Sequence, residues 1–357
     1  MGEVRVCIIG HSNVALRQQL FGRELARQGH EVLMVAPGQW GGEITTGYTD
    51  GMFGTFELVT LRHIGDTIYN FRLLGAQEAV TVFNPEWLYV QQEALSALAW
   101  EAAEWPGKWK KAIFIWENLR PPTIQERTVL RKYDLVVCGN DDAERLAREA
   151  VPELRTVILP QVGVDVEHFA VRDVPRTERA VFIGRAEAPE KGYHLAKAAW
   201  PGLGCVTSTP FIRMPWVYSQ CQIVVCPSME TNWWREQAGP YVSWEANSCL
   251  TPVIVAASGS IPFWHTQYAG INPGVILIST RGMRLQADSK GKIGMICDDG
   301  VPEAAARAFG NQLADRINEL LGDEALRHRM GQDGRDWVVN NLSNQVIAKK
   351  LTEALSA

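Results

Sequence analysis

The segment FIGRAEAPEKG, residues 182–192, decides the fold of the second half of the chain. An apolar strand ends at Gly184, and a helix is predicted to start after Lys191 and Gly192. Further apolar runs follow at intervals: IVVC at 223–226, PVIVAA at 252–257 and KIGMICD at 292–298. Strands that alternate with helices are typical of a parallel sheet with crossover helices. The pattern therefore predicts a doubly wound α/β domain.

The first half of the chain shows the same alternation. Its strand-like runs are VRVCIIG (4–10), EVLMVAP (31–37), EWLYVQ (86–91), AIFIWEN (112–118), DLVVCGN (134–140) and TVILPQV (156–162). They are almost continuously apolar, as expected of strands that are buried on both faces. The charged segment AVRDVPRTER, residues 170–179, indicates a linker. We expect one Rossmann-like domain over 1–170, a second over 171–335, and a final helix over 336–357.

The composition narrows the class of protein. The chain has 357 residues, of which 46% are hydrophobic, with a formal net charge of -5 and a pI near 5.9. These values are typical of a globular protein and argue against a broad basic face for nucleic acid. The seven cysteines include no CxxC pair, which favours free thiols in a reducing cytoplasm. Without a signal-peptide core or an apolar run of membrane-spanning length, we expect a cytoplasmic protein, free or peripheral at a membrane.

Two cations follow the strand that ends at Gly184. Arg185 stands at the carboxyl end of this strand, the edge at which open α/β sheets bind ligands. Lys191 stands at the start of the next helix. An arginine that forks onto phosphate oxygens and a lysine near a helix N-terminus form a site suited to a diphosphate. The alternative is a pair of solvated charges on a surface loop, and spacing alone leaves both interpretations open.

Glu245 lies inside the otherwise apolar segment YVSWEANSCL, residues 241–250, which predicts a helix. A carboxylate buried there needs a polar partner, because burying it unpaired is costly. Ribose hydroxyls would be suitable partners. The alternative is that the carboxylate caps a neighbouring loop.

Four segments resemble, in order, motifs of family 4 of the retaining GT-B-fold glycosyltransferases. QVGVDVEHF (161–169) is similar to the family's NGVDxxxF, GRAEAPEKG (184–192) to its GR…KG, and WEANSCLTPVIVAASGSIP (244–262) to its LEAMACGTPVIA…GGxPE. MGQDGRDWVVNNLS (330–343) is similar to the segment before the family's final helix. The resemblance spans nearly the whole chain.

The resemblance implies two Rossmann-like domains that face a cleft, with the C-terminal helix of residues 336–357 returning to the N-terminal domain. It implies transfer of a sugar from a UDP- or GDP-linked donor to a hydroxyl of a glycan, lipid or small molecule, with retention of anomeric configuration. No metal and no separate cofactor are implied. The acidic pairs Asp141-Asp142 and Asp298-Asp299 are therefore interpreted as a helix start and a turn.

By position in these motifs, the resemblance assigns Arg185 and Lys191 to the diphosphate, where they would stabilise the leaving nucleotide. It assigns Glu245 to the ribose hydroxyls. Gln237 stands where the family's E-x7-E has its first carboxylate. Glu236 and Gly239 keep the spacing of the family's ExFG.

This departure leaves two candidates for the contact to the donor sugar. We favour Glu236 as the catalytic carboxylate, with Gln237 and Gly239 as substrate-binding neighbours, and Gln237 in place of Glu236 is the alternative. Glu230 is a third candidate. Trp233 and Trp234 in the same loop are candidate ligand contacts.

In the first domain, Gly10 and His11 follow the first strand and match the family's glycine loop in part. Glu117 and Asn118 end the strand AIFIWEN, and we assign them to the active-site wall, Glu117 as a catalytic residue. The alternative is that they cap the following segment. Residues 91–93 (Gln-Gln-Glu) end another strand at the same edge and are candidates to contact the acceptor.

Three other functions compete with this one. A nicotinamide oxidoreductase would need GxGxxG after the first strand, but GHSNVA at residues 10–15 lacks the later glycines. A DNA-modifying glycosyltransferase with the same fold conflicts with the acidic charge balance. An inactive nucleotide-sugar-binding protein would explain the irregular loop at Glu236 and Gln237.

Overall fold

The chain consists of two compact α/β units. A computed structural model describes residues 2–45, 56–237, 239–280, 282–288, 291–298 and 301–357. The first unit comprises Met1–Asp165 together with Asn344–Ala357, and the second comprises Val166–Ser343. In the described part of the chain, no helix has the length and apolar character needed to cross a membrane.

In its described residues, the first unit is built on seven parallel strands and two short antiparallel pairs. Its strands are β1 (Arg5–Ile9), β2 (Glu31–Pro37), β3 (Gln39–Trp40), β4 (Glu43–Ile44), β5 (Phe56–Leu61), β6 (His63–Ile64), β7 (Arg72–Leu73), β8 (Trp87–Val90), β9 (Lys110–Ile115), β10 (Leu135–Cys138) and β11 (Thr156–Ile158). Its helices before the second unit are α1 (Leu16–Arg27), α2 (Ala76–Phe83), α3 (Ala97–Glu104), α4 (Ile124–Leu130) and α5 (Asp141–Ala150).

The main sheet of this unit has the order β11-β10-β9-β8-β1-β2-β5, with every pair parallel. The chain reverses its direction of progression between β1 and β8, which creates a topological switch point at their carboxyl ends. All six predicted strands of the first half are confirmed. The edge strand β5 is not among them, because Glu57 and Thr60 interrupt its apolar run and its residues are half-buried or exposed.

The second unit contains a second parallel sheet and a small three-stranded sheet. Its strands are β12 (Glu178–Ile183), β13 (Gly204–Val206), β14 (Cys221–Cys226), β15 (Glu230–Thr231), β16 (Val253–Ala257), β17 (Val275–Ser279), β18 (Arg284–Ala287) and β19 (Ile293–Ile296). Its helices are α6 (Tyr193–Ala199), α7 (Met214–Gln220), α8 (Tyr241–Ser248), α9 (Ile261–Thr266), α10 (Pro302–Gly322) and α11 (Glu324–Leu342).

The parallel sheet of the second unit has the order β13-β12-β14-β16-β17, and its switch point lies between β12 and β14. The strands predicted at β12, β14 and β16 are confirmed. The run KIGMICD also forms a strand, β19, but its place in the parallel sheet was predicted wrongly. It pairs antiparallel with β18 in the small sheet β15-β18-β19. Its residues are half-buried or exposed, as expected of a strand that is not covered on both faces.

The C-terminal segment forms two helices instead of the one predicted over 336–357. Ser343 has extended backbone dihedrals of φ -60 and ψ 154, which ends α11, and α12 (Asn344–Ser356) begins directly after it. The backbone N–H of Asn344 donates to the Val164 carbonyl at 2.8 Å. The apolar face of α12, which includes Leu351, packs in the first unit, where α12 contacts α1. The returning helix therefore starts at residue 344.

Candidate functional site

Loops that follow β12, β14 and β16 meet at the carboxyl edge of the second unit's sheet. The N–H of Met229, after β14, donates to the carbonyl of Glu190, after β12, at 2.8 Å. The N–H of Gly259, after β16, donates to the Glu230 carboxylate at 2.8 Å. We call Arg185, Lys191, Glu230, Trp234 and Glu236 at this edge the donor-side cluster.

Gly192 brings the first two of these loops together. Its φ of 68 lies in the left-handed region, and a Cβ at this position would stand 1.9 Å from the Pro227 carbonyl oxygen. Only glycine meets both requirements without strain. Lys191, which ends a short 3-10 turn just before Gly192, is thereby held against the end of β14.

The ammonium of Lys191 has two neighbours in the cluster. It lies 3.8 Å from a carboxylate oxygen of Glu236 and 4.3 Å from the centre of the Trp234 ring. Burial raises the pKa of the Glu236 carboxyl, and the charge of Lys191 opposes this shift. The structure thus places a carboxylate directly beside the cation that the sequence assigns to the diphosphate.

The other residues predicted for this edge of the sheet lie in different settings. Arg185 has 64% of its side chain exposed and pairs with Glu190 at 3.3 Å. The Gln237 carbonyl accepts from the Ser260 hydroxyl at 3.5 Å, a long contact. Gly239 has a φ of 122, and a Cβ there would stand 2.3 Å from the Trp244 ring. Of the two residues proposed for the sugar contact, Glu236 is the one paired with Lys191.

Glu245 is buried in α8 and accepts a hydrogen bond from the Tyr218 hydroxyl at 2.9 Å. Tyr218 is fully buried on α7, which packs against α8. The partner that a buried carboxylate requires is therefore supplied by a neighbouring helix in this structure. Tyr218 was not predicted at this site, because nothing in the local sequence pattern around it signals a contact with a residue so far along the chain.

In the first unit, the loop after β1 contacts the end of β8. A Cβ on Gly10 would stand 2.8 Å from the Gln91 carbonyl oxygen, so this close approach requires glycine. The side-chain amide of Gln92 is hydrogen-bonded to Nδ1 of His11 at 2.6 Å. Burial lowers the pKa of His11 to about 4, so its ring is neutral at pH 7. The ring of Trp40, which was not predicted at this site, lies 5.6 Å from the His11 ring.

Glu117 and Asn118 follow β9 at the same edge of the first sheet. The Glu117 carboxylate accepts from the N–H of Leu119 at 2.8 Å, which is the local capping role that the sequence left open. Asn118 is buried. The buried carboxylate of Glu93 accepts from the N–H of Trp116 at 2.5 Å and from the N–H of Glu117 at 2.8 Å. Glu93 thereby shapes the backbone that carries Glu117.

We predict that Glu93 makes stability depend on pH. Burial raises the pKa of its carboxyl from 4.5 to about 8. Between these values the folded chain keeps a proton that the unfolded chain has lost, so the free energy of unfolding falls as pH rises through this window, by at most about 1.4 kcal/mol per pH unit.

Glu93→Gln keeps the acceptor oxygen and removes the titration. Urea unfolding at pH 5 and at pH 8 is expected to show a smaller loss of stability in this variant than in the wild type, by about 1–4 kcal/mol. Equal losses in the two proteins would show that Glu93 does not carry this pH dependence.

One aspartate of each acidic pair has a local partner. Asp141 and Asp142 start α5, where Asp142 pairs with Arg145 at 2.9 Å. Asp298 pairs with Arg284 at 2.7 Å, and Asp299 lies outside the described residues. Within the ranges that the structure describes, no group of three or more His, Cys, Asp or Glu side chains is arranged to hold a metal ion.

Comparisons of the sequence find no relative. No profile of a known protein family matches the chain, and no curated protein matches it. The fold, in contrast, is widely shared among solved structures.

Three solved structures illustrate this likeness. HepE from Anabaena, solved with UDP and glucose, is 13% identical, with a TM-score of 0.65 and coverage of 99% of this chain and 100% of that chain. Sucrose-phosphate synthase from Thermosynechococcus elongatus is 15% identical, with a TM-score of 0.68 and 98% coverage of both chains. An α-glucosyltransferase solved with UDP and a 13-mer DNA is 12% identical, with a TM-score of 0.60 and 100% coverage of both. The chain therefore has the GT-B fold.

Proposed function

We propose that the chain is a glycosyltransferase of the retaining GT-B class that uses a nucleotide-sugar donor. The observation that carries this proposal is the pairing of Lys191 with Glu236 at the carboxyl edge next to the β12/β14 switch point. Ligands of open α/β sheets bind at such points. A nucleotide-sugar requires a cation that binds its diphosphate and, close to it, a carboxylate that accepts hydrogen bonds from its sugar hydroxyls.

In the proposed reaction, Lys191 and Arg185 stabilise the charge that develops on the leaving diphosphate. The bond between the anomeric carbon and the phosphate oxygen breaks, and a bond to the acceptor oxygen forms on the same face of the sugar. The acceptor hydroxyl passes its proton to the released phosphate oxygen. Glu236 accepts hydrogen bonds from the donor sugar, and Glu245, which is held by the Tyr218 hydroxyl, is the residue that we propose for the ribose hydroxyls.

For the donor nucleotide we propose UDP in preference to GDP, because HepE and the α-glucosyltransferase were both solved with UDP. The acceptor is a glycan, a lipid or a small molecule, held by the first unit near His11, Glu117 and Asn118. No metal and no separate cofactor take part in the proposed reaction. We propose a cytoplasmic location, free or peripheral at a membrane.

A DNA acceptor is the second candidate, since one structural neighbour was solved with DNA. The net charge of -5 argues against it, because DNA binding is driven largely by the release of counterions from phosphates. A gel shift with duplex DNA that weakens with salt would favour this candidate over a sugar or lipid acceptor.

Thermal unfolding with UDP, GDP and ADP, each alone and as its glucose conjugate, tests the donor assignment. A ligand that binds the folded state raises the midpoint temperature of unfolding. At about 100 times its dissociation constant, it adds about 2.7 kcal/mol to the free energy of unfolding. We expect UDP and UDP-glucose to raise the midpoint, and slow release of glucose from UDP-glucose to follow. Binding without release or transfer would indicate an inactive binding protein, and absence of any shift would contradict the proposal.

A further inference from the structure

Residues 231–234 form a tight turn that presents the Trp234 indole. The N–H of Thr231 donates to the Trp234 carbonyl at 2.8 Å, and the Thr231 hydroxyl accepts from the N–H of Trp233 at 3.0 Å and of Trp234 at 2.5 Å. Thr231 is buried. These bonds fix the backbone of the turn, from which the Trp234 indole projects.

The turn is anchored to the small sheet of the second unit. Thr231 belongs to β15, which pairs with β18. The N–H of Asn232 donates to the Leu285 carbonyl at 3.2 Å, and its side-chain oxygen accepts from the N–H of Ala287 at 3.4 Å. The small sheet, which the sequence did not predict, thus supports the segment that carries Trp234.

The two neighbours of Lys191 differ in how they respond to a bound diphosphate. The carboxyl oxygens of Glu236, 3.8 Å away, compete with phosphate oxygens for the ammonium. The Trp234 ring, centred 4.3 Å away, is neutral and attracts the ammonium through its face. With 25% of its side chain exposed, Lys191 stays reachable by a ligand. The contact with Trp234 can therefore persist when the anion arrives, whereas the contact with Glu236 weakens.

We propose that Trp234 is a positioning residue that fixes the Lys191 ammonium where the donor diphosphate binds. This inference rests on the proposed function. A flexible lysine chain loses conformational freedom on binding phosphate, and the ring face confines it beforehand. Trp234 acts through Lys191, so its effect exists only while the lysine is present.

Trp234→Leu keeps an apolar side chain and removes the aromatic face. Its affinity for UDP, measured by calorimetry, is expected to fall about 5- to 30-fold. Trp234→Phe keeps a ring and is expected to restore most of the affinity. Trp216→Leu is the matched control in the same unit, because the Trp216 ring also lies against a cation, 4.6 Å from the Arg172 guanidinium, and has no part in the donor-side cluster.

A double-mutant cycle decides whether Trp234 acts through the lysine. In a Lys191→Ala background, the change of Trp234 to Leu is expected to alter UDP affinity less than about twofold. An equal loss in both backgrounds would overturn the inference, as would unchanged affinity of Trp234→Leu in a wild type that binds UDP. If Trp234→Leu does not fold, the same cycle is measured with Trp234→Phe. This variant is expected to lose less UDP affinity than Trp234→Leu, and to lose it only when Lys191 is present. A wild type that binds no nucleotide diphosphate would instead overturn the proposed function and this inference with it.

Discussion

Lys191→Ala is expected to lower the rate of sugar transfer about 10- to 100-fold, because a charge-assisted contact of about 1.5–3 kcal/mol to the leaving phosphate is lost. Its pairing with Glu236 at 3.8 Å and its contact with Trp234 are both at a partly exposed site. Because the change removes the charged partner of the half-buried Glu236 carboxyl, the free energy of unfolding is expected to fall by about 1–3 kcal/mol, with the variant still folded. Arg185→Ala is expected to reduce turnover in the same assay, since Arg185 would hold the same diphosphate.

Lys197→Ala provides the control for loss of a lysine in this unit. Lys197 lies on α6, the helix that follows Lys191, and donates to the Leu203 carbonyl at 2.8 Å. Initial rates with UDP-glucose, together with urea unfolding of all variants, separate an effect on chemistry from an effect on folding. Near-normal transfer in both Lys191→Ala and Arg185→Ala would refute the assignment of the diphosphate site.

Gly192→Ala is expected to destabilise the second unit by about 2–4 kcal/mol. The added methyl group would have to enter the left-handed region at φ 68 and would stand 1.9 Å from the Pro227 carbonyl oxygen. The loops after β12 and β14 must then separate. Because Lys191 directly precedes this residue, transfer activity is expected to fall as well, even at temperatures where the variant is folded.

Gly270→Ala separates the cost of the left-handed backbone conformation from the cost of the contact with Pro227. Gly270 has a φ of 80 and belongs to the same unit, but a Cβ there meets no atom within 4 Å. Its cost is expected to be about 1 kcal/mol, which reflects backbone conformation alone. Denaturant midpoints of both variants measure the difference. Equal losses would mean that the contact with Pro227 contributes nothing and that the two loops adjust without strain.

The strands of the two parallel sheets were predictable to the extent that they are buried on both faces. β1 and β14 contain the continuous apolar runs of residues 6–9 and 223–226, whose lengths and spacing mark them without any knowledge of the fold. β13, with three residues including a glycine, carries too little pattern to be recognised. The apolar run of β19 was recognisable in the sequence. Its antiparallel pairing with β18 was not, because that pairing depends on the tertiary course of the chain.

The residues of the candidate site were also predictable only in part. The order of motifs along the chain was enough to propose Arg185, Lys191 and Glu245, and these assignments stay predictions. The spacing to Gly239 favours Glu236 over Gln237, but the sequence leaves both open, because a one-residue insertion in the loop and replacement of the carboxylate by Gln237 would each account for the pattern. Their position relative to Lys191 depends on how two loops pack, and the structure puts Glu236 at 3.8 Å from the ammonium.

The sequence by itself determined the alternation of strands and helices, the two-part organisation, and the strand ends at which polar residues collect. These features follow from local periodicity and from burial of apolar runs. Only the tertiary structure decided that Tyr218 pairs with Glu245, that Trp234 faces Lys191, and that the returning helix begins at Asn344. The physical reason is that each of these contacts joins elements whose approach depends on side-chain packing and loop conformation, which local sequence pattern does not specify.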